Sequence, residues 1–167
     1  MTSTSTSTYV RTHTATHLAD VILGSVADIL GTLGIDPTRL FADWDTDQKA
    51  IAAWIAEGSL ACVALECHRS GGMVDPILEF PVSYATTGVG DRKFTADRAA
   101  LARYMAKLRR VPVGTTYRLL CTYLGPHSTQ PGWGPATRSS TAGMRSYSFG
   151  TLAAAPHAAA SLRYFTT

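Results

Sequence analysis

His13, His17 and Asp20 stand at i, i+4 and i+7, a spacing that puts two imidazoles and a carboxylate on one face of a helix. Two histidines one turn apart can share a metal ion, with the carboxylate below as a third ligand. The set lacks a Glu between the histidines, so the general base of an HExxH site is missing. Thr12, Thr14 and Thr16 flank it, and polar residues at a helix start are the plainer explanation. Cys67-His68 could add ligands, but Cys62 and Cys67, five apart on a strand, face opposite ways, and a buried cysteine usually only packs.

Other catalytic patterns are missing. The chain has no GxSxG, no phosphate-binding GxxxxGK and no GxGxxG. Gly88-Val-Gly90-Asp-Arg-Lys is glycine-rich and basic but lacks the Lys-Ser/Thr ending. Glu57, Glu66 and Glu79 occur singly, with no close carboxylate pair for glycosidase-type chemistry. A binding protein without cofactor is therefore the leading expectation, and a small metal-binding α+β enzyme using His13, His17 and Asp20 is the alternative.

Elements that would position such residues are readable. Apolar residues recur from His13 to Leu33 with helical period (Leu18, Ile22, Val26, Ile29, Leu30), closed by Gly31 and Gly34. Asp36-Pro37 starts a short turn through Leu40. Asp45 and Gln48 form a capping-box pattern opening a helix with Ile51, Trp54 and Ile55, closed by Gly58. Leu60–Glu66 then reads as a buried strand, Arg69–Gly72 as a hairpin turn, and Val74–Val82 as a second strand interrupted by Pro76. A third helix is expected from about Thr95 to Arg110, stopped by Val111-Pro112. Thr115–Leu124 has the strongest β-propensity in the chain. Helices, paired strands, another helix and more strands make an α+β domain with helices on one sheet face.

The chain has 167 residues, enough for one domain with a core. No run approaches eighteen apolar residues, three cysteines form no CxxC, and the Ser/Thr-rich start lacks a signal peptide's apolar stretch, so a cytoplasmic location is expected. Residues 1–90 carry 4 Lys/Arg and 10 Asp/Glu, a net −6; residues 91–110 are +5 and 111–167 are +4. The dense cluster from Arg92 to Arg110 lies mostly on one helix, where a solvated face is the plain reading. An acidic partner protein is the next reading. Nucleic acid is the weakest, because few aromatics interleave the charges.

Residues 125–167 contain no Asp or Glu, four prolines, five glycines and long Ser/Thr/Ala tracts, the composition of a linker. They also carry Trp133, Tyr147, Phe149, Leu152, Leu162, Tyr164 and Phe165, which a disordered tail would not. This stretch reads as an ordered wrap on a preceding core, with Ser146–Phe149 and Ser161–Phe165 as strands and Ala153–Ala160 as a loop or short helix.

The opening Ser5–Asp20, the Asp36-Pro37-Thr-Arg-Leu40 turn, and Pro131-Gly-Trp-Gly134 followed by Arg138-Ser-Ser-Thr141 resemble bacterial HORMA-domain proteins. These accompany nucleotidyltransferases of CBASS-type anti-phage defence. The resemblance spans residues 1–167 as one domain: 1–11 a flexible segment or edge strand, 12–124 the core, 125–167 a C-terminal safety belt. It implies three helices packed on a mostly antiparallel sheet. It further implies that an extended closure peptide adds a strand beneath the belt, that the closed form activates a CD-NTase-type enzyme, and that an AAA+ remodelling ATPase resets it. Thr115–Leu124 is then the edge near which belt and peptide pair. The implied belt and peptide residues are Tyr117, Leu119, Trp133, Tyr147, Phe149, Tyr164 and Phe165, of which the last four also suit plain packing on the core. The ATPase would engage Thr2, Ser3, Thr4, Ser5 and Thr6.

Overall fold

The computed structural model describes residues 3–85 and 93–167, with side chains from Thr8 onward. Thr2, the glycine-rich Gly88–Gly90 stretch and Arg92 lie outside the described residues. Helix α1 runs Ser3–Leu33, α2 Thr38–Ala42, α3 Trp44–Glu57 and α4 Arg98–Met105. Strands are β1 Leu60–His68, β2 Val74–Tyr84, β3 Thr95–Ala96, β4 Thr116–Tyr123, β5 Arg145–Ala154 and β6 Ala158–Thr166. All six form one antiparallel sheet in the order β3-β5-β6-β2-β1-β4. This is the expected α+β architecture, with three main helices on one face.

The 3.6-residue stripe of α1 is the centre of the core: Leu18, Ile22, Leu23, Val26, Ile29 and Leu30 have no solvent exposure. The α1 segment Thr8–Leu33 is the one described helix long and apolar enough to cross a membrane, and in this fold that apolar face is spent against α3 and the sheet. Its exit is fixed by Gly34, whose φ of 80° no L side chain adopts easily and over which the Arg110 guanidinium packs. Beside it the Val111 N–H donates to Leu33 O at 3.0 Å, tying the segment after α4 to the end of α1.

Several elements differ from their sequence reading. From Ser3 onward the Ser/Thr-rich start is not an edge strand but the first turns of α1, where threonines accept helical geometry because a long apolar helix propagates from below. Helix α3 begins at Trp44 rather than Asp45 and makes no capping-box bond. Pro76 does not interrupt β2, which runs through it from Val74 to Tyr84; the Asp75–Pro76 bond is cis. The third long helix is short: Asp97, not Thr95, caps it through the Ala100 N–H (2.9 Å), and it ends at Met105. Ala153–Ala160 is neither loop nor helix but the tight end of the β5–β6 hairpin, where Ala155 N–H bonds Ala158 O at 3.0 Å.

Candidate peptide-binding site

Strand β4 lies at the edge of the sheet, paired to β1 on one side only. Leu124 N–H donates to Ser59 O at 2.8 Å on the β1 side. The Tyr117 carbonyl accepts from Arg39 Nη2 at 2.6 Å on the other. Backbone groups of alternate residues in a strand point to opposite neighbours. The N–H and C=O groups of Tyr117, Leu119, Cys121 and Tyr123 therefore face the open edge. Their side chains share the helix face of the sheet and pack against the core.

Residues 125–144 pass around that edge. The chain leaves β4 on the helix side, where Trp54 Nε1 of α3 donates to Ser128 O at 2.8 Å and the Ser128 hydroxyl and N–H bond the Glu57 carboxylate. His127 stacks on Tyr123 at 3.4 Å between ring centroids, and Trp133 meets Trp54 edge to face at 5.4 Å. Gly132, with φ 81°, lets the chain turn against α3; a Cβ there would lie 2.8 Å from Thr46 Cγ2.

The segment is next fixed on the opposite sheet face. Glu66 of β1 and Glu79 of β2 alternate with the core residues Leu65, Cys67, Leu78 and Phe80, so their carboxylates project to the far side. Glu66, fully buried, accepts from Ser139 N–H (2.7 Å), Ser139 Oγ (3.0 Å) and Arg118 Nε (3.0 Å), and contacts His68 Nε2 at 3.1 Å. Arg118 also donates to Thr137 O at 2.8 Å. Glu79 holds Arg138 and Arg163 together. Burial opposes a charge on Glu66, but the Ser139 N–H, Arg118 and the Ser139 hydroxyl outweigh it and hold its carboxyl below the ordinary value. Residues 125–144 are thus a strap pinned on both faces of the sheet, crossing an edge with no strand on it.

Beneath the strap the edge is lined by open space. One cavity of about 470 Å³ lies among Trp54, Cys121, Tyr123, His127 and Trp133. A second of about 310 Å³ continues along β4 among Arg39, Asp43, Asp47, Tyr117 and Trp133. Burial, then the neighbouring Asp43, push the Asp47 carboxyl up to about 6, with the Trp133 indole and Arg39 partly opposing. The Trp133 Nε1–H, although close enough to act on Asp47, is buried without a hydrogen-bond partner of normal geometry.

Of the residues anticipated for belt and peptide, Tyr117, Leu119 and Trp133 come together here. Tyr147, Phe149, Tyr164 and Phe165 do not. The hairpin that carries them pairs with β2, leaving β2 and β1 between it and β4. There Tyr147 stacks on Tyr164 at 4.9 Å, and Tyr104 of α4 meets Phe149 and Tyr164 edge to face. Ser3–Thr6 lie in the first turns of α1. His13 lies edge-on to Tyr9, His17 bonds the Thr95 carbonyl at 3.0 Å, and Asp20 is exposed. Among the described residues no group of three His, Cys, Asp or Glu side chains could hold a metal ion. Arg39, Asp43, Asp47 and Trp54 escaped the sequence reading because their role depends on which edge of the sheet is free, and strand order is not local information.

Solved structures share this fold at low identity. A chain of a mitotic checkpoint complex superposes with TM-score 0.73 at 10% identity, covering 91% of this chain and 97% of that one. C. elegans HTP-2 bound to the HIM-3 closure motif gives 0.68 at 12%, covering 89% and 88%. A chain of the E. coli MS115-1 HORMA:CdnC:Trip13 complex gives 0.61 at 14%, covering 93% and 89%. No curated protein matches the chain by sequence. The family model of bacterial HORMA domain 2 matches residues 1–167 in full, and this chain belongs to that family.

Proposed function

We propose that this domain is a non-enzymatic signalling adaptor that takes an extended closure peptide as a seventh strand on the open edge of β4, beneath the 125–144 strap. The observation that carries this reading is the strap itself: pinned through Glu57 on one sheet face and Glu66 on the other, it spans an unpaired edge flanked by cavities. Strand addition supplies main-chain hydrogen bonds for affinity and side-chain pockets for specificity. HTP-2, which shares the fold, is bound to a closure motif in its structures, which supports a peptide ligand here.

The E. coli HORMA:CdnC:Trip13 complex supports the wider assignment. On this reading the peptide-bound domain activates a nucleotidyltransferase of the CD-NTase type in anti-phage defence, and an AAA+ ATPase resets it. The handle for the ATPase is the N-terminal segment containing Thr2, Ser3, Thr4, Ser5 and Thr6. Among the α1 residues with described side chains, Thr8–His13 are not buried and burial begins at Thr14, which leaves that stretch weakly anchored to the core.

The test uses the full chain and a displayed library of random linear peptides. Selected peptides are resynthesised with single backbone N-methyl groups at each position in turn. Strand addition is expected to give sensitivity at every second position, because only alternate N–H groups face β4. Uniform sensitivity, or none, would contradict it.

A further inference from the structure

The two cavities beneath the strap differ in chemistry. At the Tyr123 end four rings meet: Trp54 edge-on to Tyr123 (5.1 Å) and Trp133 (5.4 Å), and His127 face to face with Tyr123. Their π faces are mostly used on one another, so the space of about 470 Å³ suits a large apolar side chain better than a cation.

At the Tyr117 end the wall carries Asp43 and Asp47, and neither forms an ion pair among the described residues. The cations nearby are already engaged. Arg39 donates to the Tyr117 carbonyl and lies over the Tyr117 ring at 4.5 Å, while Arg118 is held by Glu66 and the Thr137 carbonyl. Asp47 sits part-buried beside Asp43, and burial and then that neighbour push its carboxyl up to about 6 despite Arg39. Trp133, which lines both cavities, holds a buried indole N–H near Asp47 that makes no hydrogen bond of normal geometry. An unmade bond at that position is costly unless an incoming carbonyl accepts it.

Both cavities are lined by helix-face side chains of β4, Tyr117 and Leu119 in one and Leu119, Cys121 and Tyr123 in the other. Side chains of an added strand reach one face only at every second residue. Given the strand-addition reading above, on which this rests, we propose that the bound segment carries a large apolar side chain for the aromatic end and a Lys or Arg for the Asp43–Asp47 end, an even number of residues apart.

The experiment compares the intact wild-type chain with Asp47→Lys and Asp47→Asn, each checked for folding by its melt, in selections from the random linear library. Wild type is expected to enrich a large apolar residue and a Lys or Arg at even spacing. Exchanging that Lys or Arg for Glu should weaken a selected peptide about tenfold. Asp47→Lys should reverse the preference towards Glu or Asp, and Asp47→Asn should reduce it. Peptides with alternating N-methyl sensitivity but no basic enrichment, and indifferent to Asp47→Lys, would overturn this specificity while leaving strand addition standing. Failure of the wild-type chain to select any peptide would overturn both.

Discussion

Glu66 has no solvent exposure, yet it serves as the main anchor of a segment rich in Pro, Gly, Ser and Thr. Replacing it by Gln leaves an acceptor for Ser139 but turns an amide towards Arg118, and should cost about 2 kcal/mol. The loss should be local. Amide exchange of residues 137–142 should accelerate in Glu66→Gln while that of α1 changes little. Because the folded state holds the Glu66 carboxyl below its ordinary value, its contribution is present above the ordinary carboxylate range. It is lost as pH falls through the depressed value, so acid should loosen the strap. Asp47 has the opposite sign. Its carboxyl stands at about 6 against an ordinary 3.8, so the folded state binds more protons between those values and stability falls as pH rises across that window. Asp47→Asn should therefore stabilise the empty domain by about 1–2 kcal/mol near neutral pH, and by nothing below pH 3.8. Urea unfolding of both proteins at the two pH values checks this. A part-buried acid kept at a stability cost fits a residue reserved for a ligand.

At the scale of elements the strap and the β5–β6 hairpin differ in how they are held: the strap by side-chain anchors, the hairpin by strand pairing and burial. Leu152, Ala153, Ala155, Ala158 and Leu162 of the hairpin are buried, and β6 completes the sheet beside β2. Removing residues 125–167 would thus strip two strands, so single substitutions in the strap are the sharper probe. Gly132→Ala combines a φ of 81° with a 2.8 Å approach to Thr46 and should destabilise the turn by about 1–2 kcal/mol. Peptide affinity should fall more than the melting temperature. The legible parts of the sequence were those with local causes: the stripe of α1, the αL glycine after α3 at Gly58, and the β-propensity of Thr115–Leu124, within which β4 lies. The illegible parts depended on partners distant in sequence. Nothing local to Tyr147 or Tyr164 indicates that their hairpin joins β2 rather than the β4 edge. Likewise Glu66 and Glu79 look ordinary until Ser139 and Arg138 arrive from seventy-three and fifty-nine residues away.

Across the whole molecule, the charge asymmetry is consistent with this arrangement. The acid-free C-terminal stretch brings Arg138 and Arg163 onto Glu79, and Ser139 onto Glu66, both carboxylates of the acidic front half. The N-terminal turns of α1, the strap and the β4 edge are then separate handles on one body. Deleting residues 2–8 should leave peptide affinity within about twofold, since the proposed peptide site is built from α2, α3, β4 and the strap. ATPase-driven peptide release should be lost, as read by release kinetics with a labelled selected peptide. The most direct measurement is residue-resolved amide exchange with and without a saturating selected peptide. Protection should appear at Leu119, Cys121 and Tyr123, whose N–H groups face the open edge, while Arg118, Leu120 and Thr122, already paired to β1, should change little. Protection confined to another edge, or no difference between the two alternating sets, would contradict peptide capture by strand addition beneath the strap.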